Sequence, residues 1–203
     1  MELKNIFKDI YSGRDIEITT NDGLYAYGLK TSNLDECVIS TSQSNLELFE
    51  ANIKDKYILR ENDIIIASTK SSTTSHVGFA SSIPNYPVII GKNLIVLRNI
   101  YEEYEPLFIA EYLERFGIKK LFEEKGESYT RLSTEDIKSI DIPKVDIDVQ
   151  RKLVELFKLI NERTRLYKKN IVNDSKIIEE LINQALYDTK KKSNESEMKD
   201  DEN

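Results

Sequence analysis

Catalysis needs a nucleophile with its base, a metal cage or a phosphate cradle, and the residues that could build one are sparse in this sequence. His76 is the only histidine and Cys37 the only cysteine. A serine or cysteine triad with an activating imidazole is therefore not visible, and one His with one Cys cannot build a zinc site of the usual kind. There is no glycine-rich phosphate loop and no dinucleotide fingerprint. The nearest approach to a metal-dependent nuclease is Asp63 leading a strand with Lys70 after it, but the second acid that should sit two residues before the lysine is Ser68. Asp and Glu are plentiful, yet on solvated helix faces they read as surface. What remains is hydrogen-bonding chemistry. Ser68 to Ser75 is a run of hydroxyls carrying one cation, Lys70, and closing on His76, and Ser128-Tyr129-Thr130-Arg131 is a second polar stretch.

Those stretches lie between elements with clear signatures. Leu3 to Ile10 has apolar residues at 3, 6, 7 and 10, a helical spacing that Ser12-Gly13 stops, so a short helix or turn opens the domain. Asp15 to Thr20, Asn21-Asp22-Gly23 and Leu24 to Leu29 read as a hairpin, with Tyr25 and Tyr27 as sheet-packing residues. Cys37 to Ser40 and Tyr57 to Leu59 are further short strand candidates. The β-branched runs Asp63–Ala67, Val88–Ile90 and Leu94–Leu97 predict central strands. Between the first two, the Ser/Thr run must be an exposed loop, because that many hydroxyls are costly to bury unpaired. Pro106 begins a helical stretch that Gly126 ends, and Ser133-Thr134-Glu135-Asp136 matches a capping box ahead of a short helix. Ile140 to Pro143 is a brief extended piece.

From about Ile147 to Ala185 the spacing predicts one long amphipathic helix with Asp146 as N-cap. Its seam reads Val149, Leu153, Leu156, Ile160, Thr164, Tyr167, Ile171, Asp174, Ile178, Leu181 and Ala185, a heptad pattern with a stutter. At about 1.5 Å per residue it would reach on the order of 55 Å, longer than a domain of this size covers, so part of the seam must meet another chain or domain. Thr164 and Asp174 are either register positions or tolerated polar sites. After Tyr187 the chain is almost devoid of apolar residues and reads as a disordered tail.

The net charge of −7 and pI near 5.0 argue against coating nucleic acid by bulk charge, though not against local readout. No apolar run approaches the roughly 20 residues needed to cross a bilayer, so no membrane association and a cytoplasmic location are expected. The lone cysteine agrees with a reducing compartment and reads as a buried structural thiol.

Several segments in order resemble a known family. Leu59-Arg60-Glu61-Asn62-Asp63-Ile64-Ile65-Ile66-Ala67 looks like a strand entered through an acidic turn, and Gly91 to Arg98 like a later core strand. Leu132 to Ile137, then Ile140-Asp141-Ile142-Pro143 and Gln150 ahead of Leu153, look like the passage from a recognition domain into a conserved helix. Together they are similar to the specificity subunit of Type I restriction-modification systems. Typical members carry two recognition domains and two helices; this chain has one of each and no internal repeat. The resemblance implies an α+β fold: an α/β target recognition domain with a mixed, highly twisted sheet over 1–145, a long coiled-coil helix over 146–187, and the polar tail 188–203.

It also implies function. A non-catalytic half-subunit would form a homodimer through Leu153, Leu156, Ile160, Tyr167, Ile171, Ile178 and Leu181 and read a bipartite, inverted target in double-stranded DNA. It would dock methyltransferase subunits, and possibly restriction subunits, with S-adenosylmethionine, ATP and Mg expected only in those partners. The DNA-reading candidates are Lys70, Ser72, Thr73, Thr74 and His76, then Tyr129 and Arg131, then Lys92 and Arg98. Arg131 has an alternative as a connector residue paired to Glu127 or Asp136, and Lys92 and Arg98 have one as plain surface. Competing readings are a coiled-coil adaptor that binds protein, which the acidic balance would suit, and an inactive remnant or decoy of a specificity subunit.

Overall fold

The computed structural model describes residues 1–15, 24–35, 37–51, 54–70, 75–126, 128 and 130–200, with side chains except at 24, 51 and 188–200. It separates into two compact units, 1–155 and 156–203.

The first unit holds two sheets. Strands β1 (Phe7–Ser12), β3 (Leu34–Asp35), β4 (Cys37–Ile39), β6 (Ile64–Ala67), β7 (Val77–Phe79) and β9 (Leu94–Ile100) form a mixed, twisted sheet in the order β1-β9-β6-β7-β4-β3. Only β4 and β7 run parallel in it. Strands β2 (Leu24–Leu29), β5 (Glu47–Ala51) and β8 (Val88–Ile90) form a second sheet in the order β5-β2-β8, with β2 and β8 parallel. Ile65, Ala67, Leu94 and Val96 from the large sheet meet Leu29, Val88 and Ile90 from the small one in one apolar cluster. Their neighbours Ile64, Ile66, Ile95 and Leu97 point to the opposite face and are equally buried, as the two-residue period of a strand requires. Both faces of the central strands are therefore covered, and their sequences read as unbroken apolar runs.

Several expectations need correction. Leu3–Asn5 is a single 3-10 turn, and Phe7–Ser12 is an edge strand paired to β9 rather than the end of a helix. Residues 3 to 10 fit both periods, and pairing to a central strand wins. Val88–Ile90 is an edge strand of the small sheet, not a central one. Tyr57 closes a 3-10 turn, with Ile58 making only an isolated bridge to Ile89. Tyr25 is 67% exposed, whereas Tyr27 does pack, its ring 4.8 Å from that of Tyr86. The hairpin turn at 21–23 and the strand before it lie outside the described residues, and the described partners of β2 are β5 and β8.

Helices α1 (Pro106–Tyr112) and α2 (Ile118–Lys125) are joined by a π-helical turn, Leu113–Gly117, and Gly126, at φ 90°, ends α2. Helix α3 (Thr134–Lys138) starts at the predicted capping box: the Asp136 N–H donates to Ser133 Oγ, and the Ser133 N–H donates back to Asp136 Oδ2 at 2.8 Å. Helix α4 runs Ile147–Asp200, 54 residues, with the Asp148 N–H on Asp146 Oδ1 at 2.9 Å. The segment expected as a tail from residue 188 thus continues the helix to Asp200. Its Lys, Glu and Met residues are good helix formers, and extending an existing helix avoids the cost of nucleation.

The first turns of α4 belong to the globular unit, ten residues beyond the boundary expected at 145. Gln150, 1% exposed, explains why. Its Oε1 accepts the Glu105 N–H at 3.0 Å, and its Nε2 donates to the Val145 carbonyl at 2.9 Å and to that of Glu103 at 3.4 Å. Val154 is buried one turn later. Gln150→Leu keeps the bulk but strands the Glu105 amide, so it should lower stability by about 1–3 kcal/mol; a urea unfolding midpoint unchanged from the parent would refute this.

Candidate nucleic-acid interface

Strands β6 and β7 hold the ends of the Ser/Thr loop. The Ala67 N–H donates to the His76 carbonyl at 2.7 Å, and just beyond it Ser68 is 3% exposed, with both its N–H and its Oγ donating to the Asn93 carbonyl at 2.9 Å. The chain then pairs with the second polar stretch. Leu132 N–H donates to the Ser68 carbonyl at 2.6 Å, Lys70 N–H donates to the Thr130 carbonyl at 2.9 Å, and Thr69 bridges Arg131 in antiparallel register. The two polar segments, separate in sequence, form one short two-stranded ribbon.

Alternation along this ribbon sorts its side chains. Ser68 and Leu132 point to the core. Lys70 shares their side but is exposed, its Nζ 5.8 Å from the centre of the Phe122 ring. Thr69 and Arg131 take the other face, and Arg131 and Lys92, with Ser12, Ser68, Leu132, Ser133 and Thr134, line a cleft of about 320 Å³. Lys92 sits in the β8–β9 turn and pairs with Asp15 at 2.8 Å on the surface. That turn is held by a close backbone approach: a Cβ on Gly91 would lie 2.7 Å from the Leu29 carbonyl oxygen, and one on Gly13 only 2.2 Å from that of Gly91.

Among the described residues neither Lys70 nor Arg131 makes an ion pair. Asp136, one of the two alternative partners for Arg131, is engaged instead with Ser133 and Lys125; Glu127, the other, lies outside the described residues. His76 is half-buried, its ring 5.7 Å from that of Phe122. Burial holds its imidazole below the ordinary histidine pKa, partly opposed by Glu114, so it is neutral near pH 7 and brings no charge. Ser72, Thr73, Thr74 and Tyr129 fall outside the described residues.

Arg98 is not a surface residue. It is 5% exposed, and its Nε and Nη2 form a two-point bond to the Asp63 carboxylate at 2.7 and 2.6 Å. Burial opposes its charge, but the hydrogen bonds and charge of Asp63 outweigh this and raise its pKa. Cys37 is buried as expected, at φ 61°, and burial with nearby Glu111 and Glu114 pushes its thiol pKa up.

A family model, the Type I restriction modification DNA specificity domain, matches residues 11–194. The chain belongs to this family. Three solved structures are similar to this chain in fold. One, described as the structural basis of assembly and conformational transition of the type I R-M system, matches with a TM-score of 0.56 at 15% identity over 83% of this chain and 39% of that one. The HsdS subunit from Thermoanaerobacter tengcongensis matches at 0.54 and 19% over 83% and 38%, and the S subunit from M. genitalium at 0.51 and 18% over 84% and 40%. This chain therefore spans about two fifths of the length of each. No curated protein matches the sequence. In family terms, the acidic turn and the later core strand are the two segments that Asp63 and Arg98 tie together, and Gln150 is the residue that pins the helix to the domain. The motifs flagged these residues; their pairing and burial were not readable from spacing alone. No helix among the described residues is long and apolar enough to cross a membrane.

Proposed function

We propose that this specificity-domain protein reads DNA sequence as a non-catalytic half-subunit of a Type I restriction-modification system, two copies joining through α4. The carrying observation is the Ser68–Lys70/Thr130–Leu132 ribbon with its two cations, neither of which makes an ion pair among the described residues, on a chain whose net charge is −7. The major groove admits a two-stranded ribbon, and there an arginine can take guanine O6 and N7 or position a phosphate. The residues next to this ribbon in sequence, 71–74 and 127–129, include the remaining hydroxyl and Tyr129 candidates. Methyl transfer and cleavage, with S-adenosylmethionine, ATP and Mg, fall to partner subunits docked on the dimer.

The seam of α4 supports a second copy. Tyr167 and Ile171 lie two residues either side of Lys169, Thr164 and Asp174 five, Ile160 and Ile178 nine, and Leu153 and Ala185 sixteen. Eight of these positions mirror one another about Lys169, with Leu156 and Leu181 offset by one residue at thirteen and twelve, a near-symmetry that suits antiparallel self-pairing there and sets Ile160 against the partner's Ile178. Parallel pairing would bring Asp174 against the partner's Asp174, a like-charge contact in the seam; antiparallel pairing offers it the Thr164 hydroxyl instead. Ile171, Ile178 and Leu181 are each more than half exposed in the single chain. A two-fold dimer of identical readers demands an inverted, bipartite target.

Selection from random duplexes, with methyltransferase subunit present, should enrich one such motif. No enrichment would reject the reading, and a salt-insensitive protein partner in its place would favour an adaptor. Arg131→Ala should lower duplex affinity about tenfold without altering association, consistent with roughly 1–3 kcal/mol for a base contact. Titrations that superimpose on the parent's would place the reading elsewhere.

A further inference from the structure

The π-helical turn between α1 and α2 widens the helix by one residue per turn, and Glu114 sits in it. One of its oxygens, Oε2, accepts two backbone N–H bonds, from His76 at 3.0 Å and Val77 at 2.8 Å. These amides lie where the loop after Ser68 returns to the sheet. Strand β4 pairs with β7 at Gly78 and Phe79, and the Glu114 carboxylate accepts the two N–H groups just before that pairing. Two turns along, Phe122 packs the His76 ring on one side of the loop and underlies the Lys70 ammonium on the other. The same helical pair thus touches both ends of the 68–76 segment.

We infer that Glu114 is a positioning residue for sequence readout: by fixing the backbone at His76 and Val77 it sets the span the loop must bridge and so the placement of the ribbon carrying Lys70. The inference rests on the DNA-reading function proposed above. Because a single oxygen accepts both bonds, a glutamine oxygen can replace it and an alanine cannot. The charge is dispensable; the acceptor is not.

The test uses the full chain as Glu114→Ala and Glu114→Gln. Amide hydrogen exchange at His76 and Val77 reports the clamp directly, without DNA. Exchange there should rise at least tenfold in the alanine variant and stay near the parent's in the glutamine variant. In selection from random duplexes with methyltransferase subunit present, Glu114→Ala should lose enrichment of the parent's motif while keeping its affinity for random duplex, and Glu114→Gln should keep both. Unchanged amide exchange in Glu114→Ala overturns the inference, as does raised exchange with enrichment intact, or equal loss in both variants. A parent that enriches no motif fails the DNA reading and takes this inference with it, while the exchange rates still show whether the clamp exists.

Discussion

Arg98→Ala is expected to remove about 3–5 kcal/mol of folding stability, the cost of leaving a buried carboxylate without its counter-charge. Asp63 is fully buried, and the arginine supplies both of the bonds its oxygens make to a side chain. The loss extends further, because the Arg98 guanidinium also donates to the Lys56 and Ile58 carbonyls at 3.1 and 2.7 Å, holding the segment before the acidic turn. Asp63 in turn accepts the Arg60 N–H at 2.8 Å and so shapes that turn. Asp63→Ala should cost a similar amount by orphaning the guanidinium. The double replacement Asp63→Leu with Arg98→Met should recover part of the loss, since two apolar groups leave no unpaired charge. Chemical denaturation of the three variants decides the matter. A loss under 1 kcal/mol for Arg98→Ala would mean water reaches the pair.

Ile178→Lys should abolish association at micromolar concentration. In the proposed antiparallel pairing Ile178 meets the partner's Ile160, and two-fold symmetry makes that layer occur twice. Each lost isoleucine is worth about 1.5–3 kcal/mol of apolar burial, so two layers remove roughly 3–6 kcal/mol before the cost of desolvating the ammonium is counted. That corresponds to about two to four decades in the dissociation constant. Ile160→Lys should match it, whereas Glu180→Lys, on the opposite face of α4, should leave the dimer intact. Sedimentation equilibrium separates the cases. A parent chain that is monomeric would end the half-subunit reading.

The elements most legible from sequence are those whose signal is local. The α3 capping box, the Asp146 cap, the β6 and β9 runs and the long helix each announce themselves within a few residues. Phe7–Ser12 is not legible as a strand, because its pattern satisfies two periods and only its pairing with β9 chooses between them. For the site, both polar stretches were recognisable by composition, but not that Thr69 bridges Arg131, a contact between residues far apart in the chain. Glu114 carried no sequence signal at all. Its role depends on a π turn and on two backbone amides far from it in the chain, neither of which leaves a compositional trace.

That arrangement at β7 bears on how specificity can change. With Ala67, Ser68, His76 and Val77 tied to the frame by backbone bonds, the intervening loop is a closed segment whose ends do not move when its middle is altered. The entropy of closing such a segment grows only logarithmically, about 0.6 kcal/mol for each doubling of its length. Insertions between Lys70 and Ser75 should therefore be nearly neutral for folding, an outcome that chemical denaturation of such variants checks. On the proposed DNA-reading function, such a molecule would drift to new targets by trading loop cassettes, with its scaffold under no pressure to follow.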